Sequence, residues 1–131
     1  QYRRYLANED AIEAMAKSLG FEVVVPESLS LVDQVRLCAH ATAIAGSAGA
    51  NLTNLMFARP GTPILGLVGE DNNYPTFVDL CAVLDLPQCW IFGRMDPRKS
   101  WWGTYHEPFE VDMDVLEREL RRLVAAGPLA I

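Results

Sequence analysis

Thr42-Ala-Ile-Ala-Gly-Ser-Ala-Gly-Ala-Asn-Leu-Thr-Asn-Leu-Met-Phe57, closed by Arg59-Pro60-Gly61-Thr62, is the stretch that decides the fold. Thr42 to Ala45 reads as a short apolar strand. Gly46, Ser47, Ala48 and Gly49 read as a small-residue turn, and Ala50 to Phe57 as a helix-like segment. A strand, a glycine turn and a helix N-terminus make an anion site, because unpaired N–H groups and the helix dipole point over the turn. Ser47, Asn51 and Thr53 add polar side chains there. The plainer reading is that Gly46 and Gly49 only let strand and helix pack closely. On the residues alone the packing reading is the simpler one, because a Gly-x-x-Gly turn is common.

Outward from this stretch, strands and helices alternate. Asn8 reads as an N-cap, with Glu9 and Asp10 in the first turn of a helix whose face is Ile12, Met15 and Leu19 and whose stop is Gly20. Phe21 to Val25 reads as a strand ended by Pro26. Ser30 to Asp33 resembles a capping box, opening a helix with Leu31, Val35 and Cys38 inward. Pro63 to Val68 and Gln88 to Phe92 read as further strands, with a helix from Pro75 between them that carries Phe77, Leu80, Cys81 and Leu84. Gly93 to Glu107 reads as a polar, aromatic loop. Asp112 caps a last helix in which Asp114–Arg118 and Glu117–Arg121 fall four apart. Continuous apolar strands alternating with helices predict an α/β fold, a Rossmann-like parallel sheet with helices on both faces.

The chain of 131 residues predicts a single domain over 1–131, with 50% hydrophobic residues to fill a core. A formal charge of −6 argues against nucleic acid as a partner. Cys38, Cys81 and Cys89 lack metal-ligand spacing and lie among apolar residues, so buried free thiols are expected. His40 and His106 are far apart with no paired ligands, so no metal and no cofactor is expected. The uncharged span 41–58 contains Gly, Asn, Thr and Ser, which makes it a poor membrane helix.

Ligands of open α/β sheets bind at the carboxyl ends of the strands. Three turns therefore matter: Pro26 to Ser30, Gly46 to Asn51, and Gly69 to Tyr74. Glu70 suits ribose hydroxyls, although a solvated turn explains it equally well. His106 follows Trp101-Trp102-Gly-Thr-Tyr105 on the same side. A structural hydrogen bond to that loop is its simpler explanation. Arg94, Arg98 and Lys99 beside the tryptophans suit sugar stacking and phosphate contact, or an interdomain surface.

Gly46-Ser-Ala-Gly-Ala-Asn-Leu-Thr-Asn54, then Phe57 and Pro60-Gly61, resembles the Gly-x-His-Gly-Ala-x-Leu-Thr-Asn…Phe…Pro-Gly run of family 61 glycosyltransferases, the capsular polysaccharide biosynthesis type included. Upstream, Arg4, Asn8-Glu9, Gly20-Phe21, Pro26-Glu27, Leu29-Ser30 and Gln34-Val35 are similar to the family's Arg…Asn-Glu…Gly-Phe…Pro-Glu…Leu-Ser…Gln-Val. His106-x-x-Phe109-x-Val111-Asp112 is similar to a weaker bacterial ending. The resemblance implies the C-terminal, donor-binding half of a GT-B enzyme that is inverting and bacterial. It implies a nucleotide-sugar donor and a polysaccharide or glycan acceptor. The site residues it implies are Arg4, Ser47, Ala48, Gly49, Ala50 and Asn51; Glu70 and His106 join them from their turns at the strand carboxyl ends, and no catalytic residue is assigned. The family histidine falls on Ala48, and the family strand before Arg4 is reduced to Gln1-Tyr2-Arg3. A fragment is therefore expected, inactive alone, whose partners are an N-terminal half of the same protein and further copies of itself. A cytoplasmic location is expected, at the inner face of the membrane in the parent protein. The rival reading is a non-catalytic α/β binding or interaction domain. A dinucleotide-binding oxidoreductase ranks low, since no Gly-x-Gly-x-x-Gly follows the first strand.

Overall fold

A computed structural model describes residues 6–69, 75–95 and 108–125. The chain runs through helix α1 (Glu9–Ser18), a 3-10 turn (Pro26–Ser28), helix α2 (Leu31–His40) and strand β1 (Ile44–Ser47). A 3-10 helix (Ala50–Phe57), strand β2 (Ile64–Gly69), helix α3 (Pro75–Val83) and strand β3 (Gln88–Met95) follow. Strand β4 (Phe109–Glu110) and helix α4 (Met113–Ala125) complete it. The four strands form one sheet in the order β1-β2-β3-β4. β1, β2 and β3 are mutually parallel, and β4 is antiparallel to β3. The α/β expectation holds, with an antiparallel edge added.

The central strand shows why its sequence is unbroken and apolar. All six residues of β2 are buried, and its side chains alternate between two cores. Leu65 and Leu67 join Ile91 and Met95 of β3 against Ile12 of α1 and Leu116 and Leu120 of α4. Ile64 and Val68 point the other way, against Leu52 and Leu55 of the 3-10 helix and Cys81 of α3. Burying a leucine fully is worth about 1.5–3 kcal/mol. Leu116 and Leu120, each 1% exposed and one turn apart, anchor α4 in this way.

Close approach explains two glycines. The Trp90 ring lies where a Cβ on Gly66 would sit. A Cβ on Gly93 would come within 2.8 Å of the Glu110 carbonyl and 2.5 Å of Phe109. β4 can cross β3 there because Gly93 has no side chain.

Several expectations need correction. Phe21 to Val25 is not in the sheet. Its ends belong to the neighbouring turns instead. Phe21 donates its N–H to Ala16 (3.0 Å) and Gly20 donates to Lys17 (3.1 Å), the paired bonds of a Schellman stop. Gly20 takes the positive φ, +91°, that this stop requires. The Val25 carbonyl accepts from Ser28 N–H at 3.0 Å and from its hydroxyl at 2.7 Å. The first sheet strand is Ile44–Ser47 rather than Thr42–Ala45, because Ile44 N–H is the group that reaches the Pro63 carbonyl, at 3.0 Å. β3 runs on to Met95, where the sequence suggests a loop from Gly93, because Arg94 and Met95 pair with Glu110 and Phe109.

The caps are mostly as read. Ser30 accepts from Asp33 N–H (3.1 Å), and its hydroxyl donates to the Asp33 carboxylate (2.8 Å). Asp112 accepts from the N–H groups of Asp114 and Val115, each at 3.0 Å. Arg121 donates to Glu117 at 2.7 Å, whereas Arg118 turns to Glu119 (3.1 Å) instead of Asp114. Leu31 is exposed rather than inward, because it is the first residue of α2 and lies outside the face that packs. Cys81 is buried, but Cys38 is only half-buried and Cys89 is exposed, because the Cys89 side chain opens onto a cleft lined by Asp112, Val115, Arg118 and Glu119.

Candidate functional site

The parallel strands present their carboxyl ends together. Ala48 N–H reaches the Leu67 carbonyl (2.9 Å), so the turn after β1 leaves the sheet beside the end of β2. Gly69, the last residue of β2, lies opposite Gly93, and Met95 at the end of β3 lies opposite Phe109. Leu6 bridges Phe109 in turn, and Ala7 N–H bonds its carbonyl at 2.8 Å. One end of the sheet thus gathers Leu6, Ala48, Gly69, Met95 and Phe109, which come from five separate parts of the sequence. Arg4, Glu70 and His106 lie outside the described residues, as do Arg98, Lys99 and the Trp101–Trp102 pair. Their described chain neighbours Leu6, Gly69 and Pro108 flank or belong to this gathering.

The turn itself divides the expected site residues. Ser47 is half-buried at the end of β1. The Ala48 side chain is 3% exposed and sits in the core with Leu52, Leu55 and Val68. Its methyl group therefore faces away from any ligand over the turn, and its N–H is already used by Leu67. A carboxylate at position 48 would enter that core, so Ala48→Asp would unsettle the fold rather than test the site. Gly49 is fully extended (φ 177°, ψ −178°) and immediately precedes the 3-10 helix. The first N–H groups of a helix have no acceptor inside it. Here they belong to Ala50 and Asn51, whereas Leu52 N–H bonds the Gly49 carbonyl at 2.9 Å. The helix-like segment Ala50 to Phe57 is confirmed, as a 3-10 rather than an α helix.

The two glycines of the turn have different reasons. A Cβ on Gly46 would press on the Leu52 side chain at 3.3 Å, so close packing explains this glycine. Among the described residues, a Cβ on Gly49 would meet only the Ser47 carbonyl, at 4.0 Å, and the extended backbone there suits any residue. Neither the packing of the described residues nor the backbone conformation calls for glycine at 49. Among those residues, its hydrogen leaves open space beside the first amides of the 3-10 helix.

Two polar links were not apparent from the sequence. The Gln34 carboxamide donates to the carbonyls of Pro26 (2.8 Å) and Leu29 (3.2 Å) and accepts from Asn54 at 2.8 Å. It joins the turn before α2 to the 3-10 helix after β1. Asn8 stands at the N-cap of α1 but makes no side-chain cap bond. Its amide instead donates to the Val111 carbonyl (2.8 Å) and accepts from Val111 N–H (3.2 Å). Both residues sit in the quoted motifs, but no periodicity rule assigns partners 20 or 103 positions away.

No thiol is poised as a nucleophile. Burial pushes the Cys38 and Cys81 thiols up. Burial, then the charge and hydrogen bond of Glu119, push Cys89 up as well. A cavity of about 500 Å³ lies elsewhere, between Glu22–Val25 and α2. Its rim sets Glu22 and Asp33 beside Arg36, and two carboxylates oppose an anion there.

Residues 1–65 match the family model Glycosyltransferase 61. The matched stretch holds Asn8, the Gln34–Asn54 link and the whole turn 46–51, and it ends inside β2. It supports a family 61 glycosyltransferase domain and, with it, glycosyl transfer as the general chemistry. No curated protein shows a significant match to the chain. Among the described residues no helix is long and apolar enough to cross a membrane.

Proposed function

We propose that the chain is the donor-binding half of an inverting glycosyltransferase of the capsular polysaccharide type, with the diphosphate of a nucleotide-sugar over the turn Gly46 to Asn51. The observation that carries this reading is Gly49, a glycine that among the described residues has open space beside it, inside the family 61 match. An acceptor hydroxyl would attack the anomeric carbon in line, losing its proton to a base in the other half of the enzyme. The bond from that carbon to the phosphate oxygen breaks, and the nucleoside diphosphate leaves. The amides of Gly49, Ala50 and Asn51 would hold the developing charge. Arg4 would add a cation, and Glu70 and His106 would approach the nucleoside or sugar. A GT-B partner half, a glycan acceptor, self-association and a cytoplasmic location at the inner membrane face belong to the same proposal.

The test is calorimetric titration with uridine and guanosine diphosphates. Gly49→Asp places a carboxylate beside the amides without disturbing the core. Charge-assisted contacts are worth about 1.5–3 kcal/mol, so affinity should fall about tenfold or more. Equal binding by wild type and Gly49→Asp would remove the donor from this turn. Ala48→Asp should instead lower stability. A second reading, a non-catalytic binding domain, is favoured by Ala48, because no imidazole can act from a buried alanine. It predicts nucleotide-sugar binding with no turnover in the complete protein.

A further inference from the structure

We infer that Gln34 is a positioning residue for the anion-binding turn, acting through Asn54; this rests on the diphosphate reading above. The 3-10 helix Ala50–Phe57 presents the amides of that turn, yet its own bonding is weak, since 3-10 geometry is poorer than α. Its inner side is fixed by Leu52 and Leu55 in the core. Apolar packing is non-directional, so it holds depth but sets rotation loosely. Asn54 supplies a directional bond. Its amide donates to Gln34 at 2.8 Å from a half-buried position.

Gln34 is held firmly in its turn. Its own N–H₂ is committed to the carbonyls of Pro26 and Leu29, which fixes the oxygen toward Asn54 and settles which way round the amide sits. Its backbone is the first turn of α2, itself capped by Ser30. One carboxamide thus ties the turn before α2 to the 3-10 helix after β1, and neither of these two segments is itself part of the sheet. Removing it would let the 3-10 helix rotate on its leucines, and the amides of Gly49 to Asn51 would no longer converge on one point. A displacement of about 1 Å is enough to weaken such a site.

Three variants test this: Gln34→Ala, Asn54→Ala, and Asp112→Ala as a control that removes the cap of α4, remote from the link. Two quantities are read on each folded variant. One is uridine diphosphate affinity by calorimetry. The other is amide hydrogen exchange at Leu52 to Leu55. Gln34→Ala and Asn54→Ala should each weaken binding about tenfold and speed exchange in the 3-10 helix, by opening a local unit rather than the whole fold. Asp112→Ala should leave both unchanged at matched global stability. Asn54→Ala keeps the test decisive if Gln34→Ala fails to fold. Unchanged exchange and affinity in Asn54→Ala would overturn the inference, as would equal losses in Asp112→Ala. Wild type that binds no nucleoside diphosphate would overturn the diphosphate reading, and exchange at Leu52 to Leu55 that is equal in wild type and Asn54→Ala would separately dismiss the link.

Discussion

Replacing Asn8 separates two roles that a sequence cannot tell apart. As an N-cap, asparagine would be matched by aspartate or serine, and only alanine would cost about 1 kcal/mol. The structure gives the side chain another task. Its amide pairs with both backbone groups of Val111, at 2.8 Å and 3.2 Å, and makes no cap bond. Val111 is 1% exposed, so water cannot replace the lost partners. Two hydrogen bonds at about 0.5–1.5 kcal/mol each, with some penalty for a buried unpaired donor and acceptor, give a loss of about 2–3 kcal/mol for Asn8→Ala. Aspartate keeps an acceptor for Val111 N–H but sets a carboxylate against the Val111 carbonyl. Serine is too short to span both groups. All three variants should therefore lose about 2 kcal/mol, a large part of the 5–15 kcal/mol typical of a domain. The assay is urea unfolding followed by far-ultraviolet dichroism. With a slope of about 2 kcal/mol per molar, the midpoint should fall by about 1 M in each variant. Asn8→Asp and Asn8→Ser within about 0.5 kcal/mol of wild type would refute the link to Val111 and restore the cap.

Two further outcomes follow from the packing and the charges. Gly66→Ala puts a methyl group into the Trp90 ring, which must then swing off the sheet and release its hydrogen bond to Gln88 (2.8 Å); unfolding should show a loss of about 1–3 kcal/mol, and that loss should shrink in a Trp90→Ala background. Burial pushes the Glu119 carboxyl up, but the Arg118 hydrogen bond and the charges of Arg122 and Arg118 outweigh it and hold it below its ordinary value. The stability this gives is complete above the unfolded value of about 4.3 and is lost as pH falls through the folded one, so Glu119→Gln should flatten the acid limb of a pH–stability profile. The same variant should speed alkylation of Cys89 at pH 8, because Glu119 raises that thiol by its charge and by accepting its hydrogen bond at 3.8 Å.

The parts of the fold legible in the sequence are those set by local rules. Ser30, Asp112 and Gly20 end or begin helices through bonds within a few residues, and each does so here. The unbroken Ile64–Gly69 run has to be covered on both faces, and it is. Phe21 to Val25 departs from its strand pattern for the opposite reason. Three consecutive valines carry strand propensity, but propensity describes how a residue fits a ladder, not whether a partner strand is present. Among the described residues the run has no ladder partner, and its terminal groups are taken by a Schellman stop and a 3-10 turn. β4 escaped notice because two residues, Phe109 and Glu110, are too few to show a period. Its pairing depends on Gly93, 16 or more positions upstream, having no side chain.

The candidate site was legible as a motif but not in its working parts. The sequence treats Gly46 and Gly49 as equivalent, and it treats Ser47 to Asn51 as one cradle. In the fold the first glycine accommodates Leu52, the second accommodates no side chain among the described residues, and Ala48 between them belongs to the core. Three neighbouring small residues thus have three different reasons. Only Gly49 has one that packing and backbone conformation leave unexplained. Function is more often written in such residues than in those whose size the fold itself demands. That asymmetry ties the diphosphate proposal to one position, where a single carboxylate can decide it without disturbing the sheet beneath.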